Sequence, residues 1–427
     1  MNQPNIIVIT ADGLRWDSLG CSGNPDVRTP NIDALASHGI QFTQAFSSFP
    51  HTPSGAHAFL TGSVPNAFDP DGPAPGPAIE PLLMPDFLRA SGYTTAAVGA
   101  LDLPGERLTG SFDLVEAIGS PGLADAYQDW LSTEGQAQPD DEDASAALLL
   151  REAYHPTTWT GNEAVRLART IAEPFFLWVS LPRPRWPLDP PVPWKHMYRP
   201  SRLKIPEGTL LDPLEPDLEI ADPRDGAGRS EADFRRVLTA WYGGISHVDR
   251  QVGRLLATLT SRGRTNNVFA VTAGRGACLG YRGLLHTAPA PLYEPLVRVP
   301  LVIGGVPNQR RGGTDSALVS TGDLVPTLLE VLDVESAPIE GGRSLASHLR
   351  EEGLPHRRTL VLCGEDSCGL RSARYKWLVE GTGRRERLFD LQADPLERHN
   401  LLGERQSSAI RKMLLASLGS SAADPQR

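Results

Sequence analysis

What constrains this chain most is a recurring pattern of short, unbroken apolar runs that stop at glycine or other small residues, with helically spaced stretches between them. Residues 5–10 (NIIVIT), 93–99 (YTTAAVG), 174–180 (PFFLWVS), 267–272 (NVFAVT) and 299–304 (VPLVIG) are such runs. Unbroken apolar character marks strands buried on both faces, which requires a parallel sheet covered by helices. The spacing predicts helices over 84–91, 163–171, 238–259 and 323–332, and the third of these puts Ile245, Val248, Val252, Leu255 and Leu256 on one side. Residues 29–39 read as a further helix, with Thr29 able to cap, Pro30 suited to the first turn and Gly39 at the close. Residues 40–46 alternate like a half-buried strand. The fold class that follows is α/β, a mostly parallel central sheet with helices on both faces.

After about residue 360 the pattern changes. Residues 360–363, 370–373, 375–379 and 387–390 are short strands joined by turns, and 406–418 is a last helix, which predicts a small C-terminal antiparallel sheet with a helix. The expected organisation is a main domain over 1–358 and a smaller α+β subdomain over 359–427. Stretches 65–81 and 203–230, rich in proline and acids or glycine, read as irregular excursions.

Composition narrows the function classes. The formal charge is -10 and the arginines are scattered, so a nucleic-acid backbone is not an expected partner. No basic leader or long apolar span is visible, so we expect neither export nor a membrane, and a cytoplasmic protein. The cysteines at 21, 278, 363 and 368 lack zinc-ligand spacing; Cys363 and Cys368 are close enough to pair, but reduced thiols are the expectation.

Two strand ends carry chemistry. The first apolar run ends at Ala11-Asp12-Gly13, and residues 269–283 (FAVTAGRGACLGYRG) place Arg275 between Gly274 and Gly276 where a strand feeds a loop. Ligands of open α/β sheets bind beyond such carboxyl ends. Thr52 and Ser54 stand before a short helix, either as an ordinary hydroxyl cap or as part of an anion site.

With those elements placed, the chain resembles a sulfatase, within the alkaline phosphatase superfamily. The resemblance covers nearly the whole chain, through residues 5–12, 29–42, 58–62, 246–256, 292–303, 323–329, 374–377 and 388–401 in that order. It implies a divalent cation held by carboxylates, a formylglycine made from cysteine in C-x-P-S-R, and several Lys, Arg and His residues around the ester. Asp12 matches the first metal-binding aspartate, and Gly13 replaces the second. Gly274 and Arg275 fall on a further metal aspartate and its His or Asn neighbour. Ungapped counting puts Thr52 at the nucleophile, local matching puts His51 there, and neither is a cysteine. The motif arginine is replaced by Gly55 or Ala56, and the family's G-K-W-H-L-G segment by Gly99-Ala-Leu-Asp-Leu103. Arg185 stands for a loop histidine, and a family lysine falls at about Thr287, after His286.

The resemblance with these departures implies a sulfatase-like protein that is catalytically impaired or inactive, with Arg275 in the former metal volume and paired to Asp12. One alternative is a sulfate or phosphate ester hydrolase using Thr52 as nucleophile with His57 or His286 as base. The other is a non-catalytic oxyanion-binding or assembly module using Arg185 and Arg275. No cofactor is expected for the first reading and a calcium or magnesium ion for the second. The expected partner is a sulfate or phosphate ester; no partner protein is indicated.

Overall fold

The computed structural model describes residues 3–50, 54–63, 68, 82–136, 151–209, 230–282, 284–285, 291–364, 367–381 and 384–418. The main sheet has eight strands: β1 (Asn5–Ala11), β2 (Ile40–Phe46), β3 (Thr94–Gly99), β4 (Leu114–Ala117), β5 (Phe175–Leu181), β6 (Asn267–Thr272), β7 (Leu301–Gly304) and β8 (Thr314–Ser320). Their order is β4-β3-β5-β1-β6-β7-β2-β8. Only β7 runs against its neighbours β6 and β2; every other pairing is parallel.

The strands expected from unbroken apolar runs are the central ones, and the reason is visible in β1. Ile7 and Ile9 enter one hydrophobic cluster, Ile6 and Val8 the cluster on the other face, so the middle of the strand leaves no position for a polar residue. The two strands that the apolar pattern does not reveal, β4 and β8, are the sheet's edges, where Leu114 and Thr314 are exposed.

The long helix Glu231–Ser261 begins seven residues before the apolar stripe suggests. Its start is a capping box, in which Ser230 Oγ accepts from Asp233 N and the Asp233 carboxylate accepts from Ser230 N. The helix Pro30–His38 departs from expectation at its cap. Thr29 makes no capping bond; its hydroxyl donates to Asp33 and accepts from Gly20 N. Asp249, on the long helix, takes over by accepting from Asn31 N and Ile32 N.

The small sheet has the order β12-β11-β10-β9, built from β9 (Thr359–Cys363), β10 (Ser367–Ser372), β11 (Tyr375–Glu380) and β12 (Arg385–Asp390). All its pairings are antiparallel. Leu360, Leu362, Leu378 and Phe389 pack towards Phe46, Tyr293 and Leu296 of the main body. The alternate residues Val361, Leu370, Trp377 and Leu388 face Ile410 and Leu414 of the helix Ser407–Ser417. Cys363 and Cys368 are cross-strand neighbours in register, as thiols; burial pushes Cys363 up to about 12. The excursions expected at 65–81 and 203–230 fall for the most part outside the described residues. Among the described residues no helix is long and apolar enough to cross a membrane.

Candidate active site at the carboxyl edge of the sheet

Four adjacent strands, β3, β5, β1 and β6, each deliver one charged side chain to the same end of the sheet. Ala11 of β1 pairs with Leu181 of β5, and Thr10 with Thr272 of β6, so the chain beyond each strand emerges at one level. Asp12 follows β1, Arg275 follows β6, Arg185 lies four residues past β5 and Asp102 three past β3. Asp12 N donates to Leu181 O at 3.1 Å and Arg185 N donates to Asp12 O at 2.8 Å, which ties the first two loops together.

Arg275 grips the Asp12 carboxylate at two points, Nε to Oδ1 at 2.8 Å and Nη2 to Oδ2 at 3.2 Å. Arg185 Nη1 adds a third bond to Oδ2 at 3.2 Å. This is the fork-to-fork arrangement that a planar guanidinium makes and an ammonium cannot. Burial pushes the Asp12 carboxyl up, but Arg275 and then Arg185 outweigh it and hold the group below the ordinary range. Asp102 shifts the other way: burial and the nearby Asp12 raise it, against Arg185 and Arg275. No hydrogen bond joins Asp102's side chain to another described residue, and its backbone holds a φ of 51°.

Asp12, Asp102 and Arg275 open on a cavity of about 40 Å³ whose other walls are largely apolar, with Phe59, Leu101 and Trp178 prominent. The two hydroxyls at its edge are engaged: Thr10 Oγ1 accepts from Trp178 Nε1 at 3.0 Å, and Ser180 Oγ donates to Ala100 O at 2.5 Å. The helix Ser54–Thr61 borders it through Gly55, Ala56 and Phe59. His57 lies on the same helix, half-buried, and is not among the cavity's lining residues. Thr52, His51 and His286 lie outside the described residues.

The residues present do not fit the divalent cation that the family resemblance implies. Both oxygens of Asp12 are occupied by guanidinium N–H groups, whereas a hard cation needs six or more oxygen ligands. At Gly13, φ is +84° and a Cβ would come within 3.2 Å of the Arg185 backbone, so a second carboxylate there meets both strain and crowding. A side chain at Gly55 would come within 2.6 Å of Phe49 O. Among the described residues no group of three or more His, Cys, Asp or Glu is placed to hold a metal ion.

Sequence reasoning named Asp12, Arg275 and Arg185, and the structure brings all three together. It passed over Asp102 as a replaced family histidine. The available signal was position: an acid three residues past an apolar run that ends in glycine, as Asp12 itself ends the first run.

The architecture, an eight-stranded mostly parallel sheet with an appended small sheet, is that of the alkaline phosphatase superfamily. Within it, the sulfatase family model matches residues 4–334, and the chain belongs to the sulfatase family. It is 28% identical over 466 residues to an arylsulfatase of Clostridium perfringens, covering 97% of this chain and 94% of that protein. It is also 28% identical over 368 residues to the iduronate 2-sulfatase of Homo sapiens, covering 79% and 65%. Among solved structures it is similar to the phosphonate monoester hydrolase of Agrobacterium radiobacter, with a TM-score of 0.80 at 22% identity, covering 97% of this chain and 95% of that one.

Proposed function

We propose that this protein keeps the sulfatase fold but has lost ester hydrolysis, and that Arg275 stands in the volume the family gives to its cation. The observation that carries the reading is the two-point grip of Arg275 on Asp12, reinforced by Arg185. A guanidinium supplies the positive charge that the strand ends require, but it has no open coordination position at which to polarise an ester or activate a nucleophile. Thr52, at the nucleophile position, has no cysteine chemistry to draw on and needs a metal or a strong base to ionise. The ancestral substrate in this reading is a sulfate or phosphonate monoester of the kind named for the relatives.

A second reading has one observation in its favour. Arg185 is about a third exposed, at 34%, and gives only Nη1 to Asp12, so the rest of its fork is available to an oxyanion at the mouth of the site. Binding without cleavage fits a sensing or assembly role for a sulfated or phosphorylated small molecule.

The test is an ester panel of aryl sulfate, phosphate and phosphonate monoesters, with and without added calcium or magnesium. The expected result is no turnover above buffer. Turnover that Thr52→Ala abolishes sinks the proposal and reinstates the threonine-nucleophile enzyme with its metal.

A further inference from the structure

A second concentration of charge lies at the opposite edge of the sheet. The helices Pro156–Thr170 and Glu231–Ser261 feed β5 and β6, so their carboxyl ends come together at the strands' amino ends, away from Asp12. On the first helix, Asn162, Val165, Arg166, Arg169 and Thr170 follow the i, i+3, i+4, i+7, i+8 spacing of one face. On the second, Arg250, Arg254 and, just past the end, Arg262 follow a four-residue row. Arg166, Arg169, Arg254 and Arg262 line one open groove of about 390 Å³.

The partners of these arginines are uneven. Arg166 is neutralised by Glu163 at 2.5 Å and Glu116 at 2.7 Å. Arg254 is held by two neutral amides instead, donating to Gln251 Oε1 and to Asn162 Oδ1, each at 2.7 Å. Burial, then Arg250, and also Arg169, hold Arg254 below its ordinary range, with Glu152 opposing. The guanidinia of Arg169 and Arg262 have no hydrogen bond or ion pair with a described residue, and both are exposed. Complementing the helix dipoles accounts for arginines in the last turn or just past it, such as Arg169 and Arg262. It does not account for Arg254, two turns earlier, fixed by amides and crowded by like charge.

We propose that this groove binds a small multivalent oxyanion: two or three linked phosphates, or closely spaced sulfates on a sugar. Guanidinium forks match such oxygens bidentately, and several forks in one groove favour several oxyanion groups over one. With a net charge of -10, the protein as a whole repels an anion, so the attraction is local. The site is independent of the carboxyl-edge reading and stands or falls separately from it.

The test is calorimetric titration of the full chain with tripolyphosphate and, separately, with a disulfated disaccharide. It is run at low ionic strength, where charges are screened over about 30 Å, and at physiological salt, where the length is about 8 Å. Arg169→Ala/Arg262→Ala removes two exposed side chains that have no hydrogen bond or ion pair with a described residue, and should weaken binding by about tenfold or more. Arg236→Ala, exposed near the opposite end of the long helix, should leave binding unchanged. Binding of either probe that the double variant loses supports the site and names its source, phosphate or sulfate. Binding of neither probe at low ionic strength, or equal binding to wild type and double variant, overturns it.

Discussion

Two charge clusters in this molecule look alike on paper and differ in enclosure. Between the small sheet and the main body, Lys376 Nζ is fully buried and bonds Glu397 at 2.8 Å and Glu294 at 3.3 Å. Arg371 grips both oxygens of Glu294, at 3.1 and 3.2 Å, and Glu397 Oε2 accepts from Glu294 N at 2.9 Å. Arg282 joins the network by donating to Glu397 O while stacking over Tyr293, with its Nε left without a hydrogen-bond partner. At the carboxyl edge, Asp12 is as well served, but Asp102 faces a cavity with no hydrogen-bond partner among the described residues. The first cluster joins parts of a fold. The second borders a cavity, with the Asp102 carboxyl facing it. We propose that residues 359–427 dock as a subdomain through the first network.

The comparison breaks most sharply at Lys376. Lys376→Met leaves two buried carboxylates to share the remaining cations, and removal of one partner from a buried ion network costs about 3–5 kcal/mol. Urea denaturation at neutral pH should show a loss of that size. A loss below about 1 kcal/mol would mean that the network is no more structural than the carboxyl-edge cluster.

Arg275→Ala should cost less, about 1–3 kcal/mol, because Arg185 still serves Asp12 and the site is partly open to water. The pH dependence fixes its origin. Asp12's carboxyl is depressed in the folded protein. Its contribution is therefore present above the unfolded pKa of about 3.9, and is lost as pH falls through the folded value. The gap between wild type and Arg275→Ala should be wide at neutral pH and close on acidification below about pH 4. A gap that is the same at both pH values assigns the loss to packing instead.

The sequence makes the central strands legible because burial on both faces leaves a continuous apolar signature, as in residues 5–10 and 174–180. Edge strands β4 and β8 carry no such signature, because one side meets solvent. Local signals also cannot announce a long-range substitute: Thr29 has the right chemistry to cap its helix, yet Asp249, 217 residues away from Ile32, does it. At the site, Asp12 and Arg275 are readable from strand ends alone. That they meet follows only from β1 and β6 being neighbours, which no local pattern encodes. Asp102 joins them because β3 pairs with β5, for the same reason.

The arginine-for-cation reading sharpens in a variant that reverses it. An ideal Cβ at Gly274 meets nothing within 4 Å, so Gly274→Asp has room for a side chain. Combined with Arg275→Asn, it returns a carboxylate and an amide oxygen to the place of a fixed positive charge. Calcium or magnesium should then raise the melting temperature of the double variant and not of wild type. An ion at about ten times its dissociation constant contributes about 1.4 kcal/mol. No response in the double variant means that the loss at Gly13 has already closed the site to metal.

The smallest expected effect is at Asp102, and its sign is the informative part. Its folded pKa is raised, by burial first and then by Asp12. A carboxyl shifted this way favours folding fully below its unfolded pKa of about 3.9, and that advantage is lost as pH rises through the folded value. At neutral pH its ionised form therefore opposes folding, and Asp102→Asn, which removes the charge and nearly keeps the shape, should stabilise by less than about 1 kcal/mol. Below about pH 4 the two proteins should unfold alike, since the wild-type group is then protonated in both states. Destabilisation at neutral pH would mean that Asp102 is a working partner of Arg275 or Arg185, and the carboxyl-edge cluster would then be as structural as the one around Lys376.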